Sequence, residues 1–290
     1  MSEPTNATVL GLGAMGGVLA AALQDAGYRT TTWNRTPGRD AELIARGAVA
    51  APSVREAVAA SPVTIACLYD HASVHETLDP VAPELGTLIN VTTTTPGEAR
   101  ELAAWAAGHG IGYLDGAILA TPVQIGSREA AILTSGSRAV YDAHRTLLDV
   151  WATSSFDGDD AGMASLHDLA MLSGMYTMFA GFLHGAAMTG SAGVPAREFA
   201  ARATPFLAAM TEFFAWQAAT VDDRAYQGGQ SMRFTEPVLA AIARASEEQG
   251  VDPAPIAMVR SLVQEQIALG HGAADFDRIY EGLRRAEGAA

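Results

Sequence analysis

Residues 9–36 read VLGLGAMGGVLAAALQDAGYRTTTWNRT. An apolar run turns at Gly11-Leu12-Gly13 and passes through Ala14-Met15-Gly16 into an Ala/Leu-rich segment with helical spacing. Strand, glycine loop and helix in that order suit a dinucleotide pyrophosphate. Gly11 permits the tight turn, Gly13 leaves room for the backbone to approach a phosphate, and Gly16 lets the helix lie close on the strand. The helix N-terminus then presents free N–H groups to the anion. A GxGxxG pattern alone also occurs as a purely structural turn. Here a helix stop at Gly27 and a second strand, Thr30 to Trp33, follow it, and that context favours nucleotide binding.

The end of the second strand decides which nucleotide. An NAD site places Asp or Glu there to accept from the ribose 2′-hydroxyl. This chain has Asn34-Arg35-Thr36 and no carboxylate until Asp40. A guanidinium between two hydrogen-bonding side chains suits a 2′-phosphate, so the site reads as one for NADPH, with Arg39 near enough to share the phosphate. The alternative for Arg35 is a solvated surface arginine.

The chain has 290 residues, 49% of them apolar, enough for two domains with sizeable cores. Its one cysteine, Cys67, lies in an apolar run and reads as a small buried hydrophobe, so no intrachain disulfide forms. The first residues, MSEPTNATVLG, lack the basic, apolar, small-residue order of a secretory signal; with the single thiol, this points to the cytoplasm. A net charge of −14 disfavours nucleic acid and anionic membranes as partners. All 18 basic residues are arginine. With no lysine, the chain forms no Schiff base, has no Walker-type phosphate lysine and uses no lysine as acid or base.

Further along, strand and helix patterns alternate to about residue 160, describing one doubly wound domain. His71 and His75 share a helix face but lack the intervening glutamate of a zinc-protease pattern and any third ligand in view, so they read as surface residues and no metal is expected. The strand Leu88 to Val91 runs into Thr92-Thr93-Thr94-Thr95-Pro96. This is the carboxyl end of a sheet strand, where open α/β sheets put their ligands, so the hydroxyls of Thr93 and Thr94 are candidates to touch the nicotinamide end of the cofactor and the substrate. They equally suit an N-cap for the helix that Pro96 opens. From Ala161 to Thr189 there is no proline and apolar residues fall on every side, which predicts one long helix. His167, Asp168 and His184 within it argue against a membrane span. A helix apolar all round is buried, and a second copy of the chain would bury one this long. The remainder is helical. The predicted domains are thus 1–160 and 161–290, the latter carrying the long interdomain helix and an all-α C-terminal domain.

An N-terminal Rossmann domain, a long helix and a helical C-terminal domain resemble the β-hydroxyacid dehydrogenases. GLGAMG at 11–16, NRT at 34–36, the Thr92 to Pro96 loop and Gly162 carry the likeness. The catalytic lysine of that family falls near Leu166 and has no replacement, which excludes its mechanism. The sequence is closer to the imine reductases and reductive aminases, which share the fold and lack the lysine. NRT, the loop DGAILATPVQIG at 115–126 and HDLAMLSGMYTMFAGFLHG at 167–185 carry that resemblance. It implies NADPH-dependent reduction of imines, with reductive amination of ketones as an extension; the all-round apolar helix separately predicts a homodimer in which the Ala161 to Thr189 helices and the C-terminal domains intertwine. In that family the proton donor's position on the helix holds Tyr or Asp; Tyr176 occupies it, and Asp168 matches the polar residue eight positions earlier. Where a reductive aminase pattern has Asn, this chain offers Thr93, a departure that bears on imine assembly.

Reducing C=N needs a hydride and a positive nitrogen, so the protein should supply a dry pocket with one anion. Asp168 and Tyr176, eight residues apart on a helix, suit one cleft. The alternatives are a tyrosine packed in a core and an aspartate paired with an arginine. Wall candidates are Thr94, Leu119, Leu172, Met175, Phe179, Met210, Trp216 and Met232, though these also suit an ordinary core. Two other readings stay open, a lysine-free carbonyl reductase and a non-catalytic NADPH-binding protein.

Overall fold

The computed structural model describes residues 6–227 and 229–284. The chain runs β1 (Asn6–Leu10), α1 (Ala14–Asp25), β2 (Arg29–Trp33), α2 (Ala41–Ala45), β3 (Val49–Ala50), α3 (Val54–Ala59), β4 (Val63–Ala66), α4 (His71–Leu78), β5 (Thr87–Asn90), α5 (Pro96–Gly108), β6 (Gly112–Leu119), β7 (Ala131–Gly136), α6 (Arg138–Trp151) and β8 (Thr153–Phe156). The long helix α7 (Gly162–Ser191) follows, then α8 (Ala196–Met210), α9 (Phe214–Asp222), α10 (Met232–Glu248), α11 (Ala254–Gln266) and α12 (Ile279–Leu283). Two compact units divide inside α7, Met1–Ser173 and Gly174–Ala290.

In the first unit eight strands form one sheet in the order β3-β2-β1-β4-β5-β6-β7-β8. Strands β1 to β6 are parallel; β7 runs antiparallel to β6 and β8 parallel to β7. The order reverses between β1 and β4, the switch point at which such sheets open a crevice. Side-chain alternation covers both faces. Val9, Ile65, Ile89 and Leu114 pack into one core with Leu19, Leu23 and Trp151, while Leu10, Ala66, Leu88 and Tyr113 pack into the other with Leu78 and Leu102. A strand buried on both faces needs near-continuous apolar residues, which VTIA in β4 supplies. The indole of Trp151 donates to the Leu19 carbonyl at 3.1 Å and locks α6 onto α1.

The expected α/β architecture, a parallel Rossmann-like sheet followed by helices, is observed, with local corrections. β6 continues to Leu119, into the stretch 115–126 read from the sequence as a loop, because β7 pairs along it from Leu114↔Gly136 to Leu119↔Ala131. Strands β3 and β8 carry no sequence signal: β3 has two residues, and TSSF in β8 is polar, held by the Asp149 carboxylate accepting from the Ser154 amide at 3.2 Å. Helix α8 begins at Ala196 and carries Pro205 inside it. Arg285, the expected end of the last helix, lies outside the described residues.

The second unit has a small core of Met232, Leu239 and Val263, with Val259 and Phe276 packed against it. Much of its apolar surface is exposed: Tyr176 (65%), Leu183 (63%), Phe206 (63%) and Phe214 (64%). The buried residues of α7 are Gly162, Ala164, Ser165 and Asp168, all in its first two turns. Within a single chain, therefore, the long helix is not buried along its length as its composition predicts. No helix among the described residues is long and apolar enough to cross a membrane.

Candidate active site

At the switch point, a cleft of about 360 Å³ lies over the carboxyl ends of β1, β2 and β4. Gly11 has φ +90°, and a Cβ there would stand 2.2 Å from the Cys67 carbonyl oxygen. A Cβ at Gly16 would stand 2.0 Å from the Gly11 oxygen, so both positions exclude any side chain. At Gly13 a Cβ would meet nothing within 4 Å. Gly13, the second glycine of the loop, faces open cleft, the cradle an approaching phosphate requires. No side chain caps α1, so the N–H groups of its first turn ahead of Gly16 are available to an anion.

The lining includes Ala14, Met15, Asn34, Arg35, Thr36 and Arg39 and contains no Asp or Glu. Two guanidiniums without a carboxylate suit a phosphate dianion over a ribose hydroxyl. Among the described residues, Arg35 has only a loose ion-pair partner, Glu76 at 3.9 Å, with both side chains well exposed. Leu12 is buried and does not line the cleft. Its role is through the backbone: its N–H donates to the Asn34 Oδ1 at 2.8 Å, and the Asn34 amide donates to the Thr36 carbonyl at 2.8 Å. Asn34 thus ties the glycine loop to the end of β2. Sequence reasoning missed Trp33, Cys67, Leu68, Tyr69, Ser73 and Thr77, which complete the lining. The switch-point rule, applied to the end of β4, would have found Cys67 to Tyr69.

A second cleft, of about 310 Å³, shares Met15, Cys67, Leu68 and Tyr69 with the first. Its other walls are Val91, Thr92 and Thr93 after β5, Gly116 to Ile118 of β6, and Ser165, Asp168 and Leu172 of α7. Asp168 is the one carboxylate in the lining. It is buried, forms no ion pair among the described residues, and desolvation pushes its carboxyl above the usual range. The thiol of Cys67 is pushed to about 11 by burial despite a hydrogen bond from the Gly16 N–H, so it stays neutral.

The start of α7 is anchored at several points. Asp160 accepts from the Gly162 N–H at 3.0 Å and from the Arg100 guanidinium at 2.8 and 2.9 Å, which holds its carboxyl down at about 2. A Cβ on Gly162 would meet the Pro96 carbonyl at 2.7 Å, so only glycine lets the helix begin so close to α5. Ser165 donates to the buried Asp115 at 2.7 Å, and Tyr113 donates to the same carboxylate at 3.1 Å. Burial pushes Asp115 up to about 6, although both hydroxyls favour its charged form.

Of the expected site residues, Asp168, Thr93 and Leu172 come together in the second cleft, so Thr93 stands there and not in the phosphate cleft. Thr94 lies behind it, buried, 3.2 Å from the Ser165 hydroxyl. Leu119, at the end of β6, lines neither cleft. Tyr176, Met175, Phe179, Met210 and Trp216 belong to the second unit; Tyr176 is exposed, with Phe179 edge-on at 6.5 Å, so no core packs it in the single chain. Met232 is fully buried with Leu239 and Val263, a packing residue and not a pocket wall.

Residues 160–285 match the family described as "NADPH-dependent reductive aminase-like, C-terminal domain", and residues 6–158 match the "NAD binding domain of 6-phosphogluconate dehydrogenase". A NADPH-dependent reductive aminase of Aspergillus oryzae is 37% identical over 94% of this chain and 95% of its own length. Among solved structures, a reductive aminase from Aspergillus terreus in complex with NADPH and ethyl levulinate superposes with a TM-score of 0.94 at 40% identity, covering 97% of this chain and all of its own. An imine reductase from Myxococcus stipitatus in complex with NADP+ gives 0.92 at 33% identity, with the same coverage. With the glycine cradle, two arginines in the nucleotide cleft, a buried carboxylate in the adjoining one and no lysine, this chain belongs to the reductive aminase and imine reductase family.

Proposed function

We infer that the protein is an NADPH-dependent oxidoreductase that reduces imines to amines and takes ketone–amine pairs by way of the imine they form. The observation that carries this reading is Asp168, an unpaired buried carboxylate in a lysine-free cleft adjoining the nucleotide cleft. A carbonyl reductase must stabilise a developing alkoxide, for which a carboxylate is the wrong charge. An iminium is a cation, and a desolvated anion beside it lowers the cost of its charge.

NADPH, when bound, supplies the hydride. Gly11, Gly13, Gly16 and the N-terminus of α1 would hold its pyrophosphate, and Arg35, Thr36 and Arg39 its 2′-phosphate. Thr93 lines the second cleft, and Tyr69 lines both. Asp168 favours the protonated imine and orients its nitrogen. Tyr176 donates a proton to nitrogen, or accepts a hydrogen bond from the N–H of a substrate that arrives protonated; its exposed side chain supports that role.

The chain works as a homodimer in the cytoplasm, each active site combining the sheet domain of one subunit with helices of the other. The exposed apolar faces of α7 and α8 support the assembly. The functional domains divide near residue 160, α7 joining them. The experiment follows NADPH absorbance with a cyclic imine, a ketone alone, and a ketone plus an amine. Turnover of the imine and of the mixture, with none of the ketone alone, is expected. Turnover of the ketone alone would favour a carbonyl reductase, and no turnover at all a binding protein.

A further inference from the structure

We propose that His71, His75 and Glu101 form a divalent transition-metal site, best suited to Zn2+, that clasps α4 to α5 on the side of α4 away from the nucleotide cleft. The two histidines stand one turn apart on α4, and the sequence shows no third ligand near them. The fold supplies one from α5. Glu101 Oε2 lies 3.1 Å from His71 Nε2 and 3.0 Å from His75 Nε2, and the three ligand atoms lie within 4.8 Å of one another. Zinc takes imidazole nitrogen and carboxylate oxygen at about 2.0–2.2 Å, so ligands at tetrahedral angles are about 3.3–3.5 Å apart. Two edges are already near that length, and small rotations of the side chains complete the third.

A second observation points the same way. Asp79 Oδ1 stands 2.9 Å from His75 Nδ1. A carboxylate accepting from Nδ1–H fixes the tautomer whose Nε2 carries the lone pair, the arrangement by which metal-binding histidines are oriented. The His75 ring is further held edge-on to Trp105 at 5.6 Å. The imidazoles are about four-fifths buried and Glu101 is half exposed, which leaves one side open for a water as fourth ligand. Without a metal, the same groups form a histidine bridged between two carboxylates, and the experiment separates the two states.

The consequence concerns the cofactor cleft. Ser73 and Thr77 line that cleft, while His71 and His75 on the same short helix turn to α5. A metal at the triad would therefore hold the wall of the nucleotide cleft from behind, stabilising the folded state without touching the chemistry.

The test uses tag-free full-length protein, stripped with chelator and titrated with Zn2+ by calorimetry and by thermal melting. One Zn2+ per chain, with a dissociation constant in the micromolar range or tighter and a rise in Tm, is expected. His75→Ala and Glu101→Gln should each weaken binding at least 100-fold, and Asp79→Asn about 10- to 100-fold as an orienting residue. Unchanged circular dichroism and NADPH affinity in the stripped variants show that they fold. Absence of saturable one-equivalent binding overturns the proposal. So does binding that survives His75→Ala and Glu101→Gln, or that Cys67→Ser removes.

Discussion

Ser165, in the first turn of α7, donates its hydroxyl to the Asp115 carboxylate in the middle of β6 across 2.7 Å and accepts from Thr94 at 3.2 Å. The helix that carries Asp168 is thereby hydrogen-bonded to the sheet three residues before it. Asp115 has the raised folded pKa, about 6 against an unfolded value near 3.9, so the folded state holds its proton more tightly. By linkage, stability is greatest below pH 4, declines as pH rises to about 6 and is level above that, by about 3 kcal/mol in all from this group. Asp115→Asn should remove that decline. Denaturant unfolding of the two proteins from pH 4 to pH 7 checks it, and equal slopes would contradict it. Ser165→Ala should extend the decline above pH 6, since the lost bond favours the charged carboxylate, and destabilise the protein by about 1–3 kcal/mol.

The nucleotide preference rests on Arg35. A charge-assisted bond is worth about 1.5–3 kcal/mol, so Arg35→Ala should raise KM for NADPH roughly 10- to 100-fold and leave KM for NADH nearly unchanged. The loose contact with Glu76 at 3.9 Å is not a competitor that would mask the effect. Equal losses with both cofactors would remove the assignment.

Assembly is a matter of exposed area. Leu183 and Phe206 are each 63% exposed in the single chain, and burying either is worth about 1.5–3 kcal/mol. Light scattering should give twice the chain mass, and Leu183→Glu or Phe206→Glu should shift the protein towards monomer with loss of activity. A stable, fully active monomer would show that no second copy completes the site.

Thr93 lines the cleft of Asp168, where a reductive aminase pattern has an asparagine. An amide offers both a donor and an acceptor to a carbinolamine losing water; a hydroxyl is smaller and has one proton. Thr93→Asn should raise the rate with ketone plus amine relative to the rate with preformed cyclic imine. An unchanged ratio would mean that residue 93 has no part in imine assembly.

The legible parts of the molecule are those whose partners are close in sequence. Gly11, Gly13 and Gly16 report a loop because the turn, the close approach and the helix start fall within six residues, and the threonine cluster ahead of Pro96 reads as an N-cap, which Thr95 supplies. The ties that aim the site were not legible. Leu12 to Asn34, Asp115 to Ser165 and Thr94 to Ser165 span 22, 50 and 71 residues, and nothing local to either partner marks the pair. The same holds for Glu101, whose meeting with His71 and His75 depends on how α4 and α5 lie on the sheet. Met232 was misplaced because methionine suits a core and a pocket wall alike, and only packing separates them.

The acid and the anion make separable predictions. The role proposed for Asp168 is that of a carboxylate, and desolvation raises its pKa, so the acid limb of the pH–rate profile should lie above the ordinary carboxylate range. Asp168→Asn should abolish that limb and lower kcat at every pH where the carboxylate is normally charged, with NADPH binding intact. Tyr176→Phe removes only a hydroxyl. A basic imine that arrives protonated needs no donor at low pH, whereas at high pH the proton must come from the protein. The variant should therefore lose roughly 10- to 100-fold in kcat at high pH and much less at low pH. Full activity of Tyr176→Phe up to pH 9, with NADPH binding unchanged, would make the phenol a packing residue and leave water or the substrate as the source of the proton.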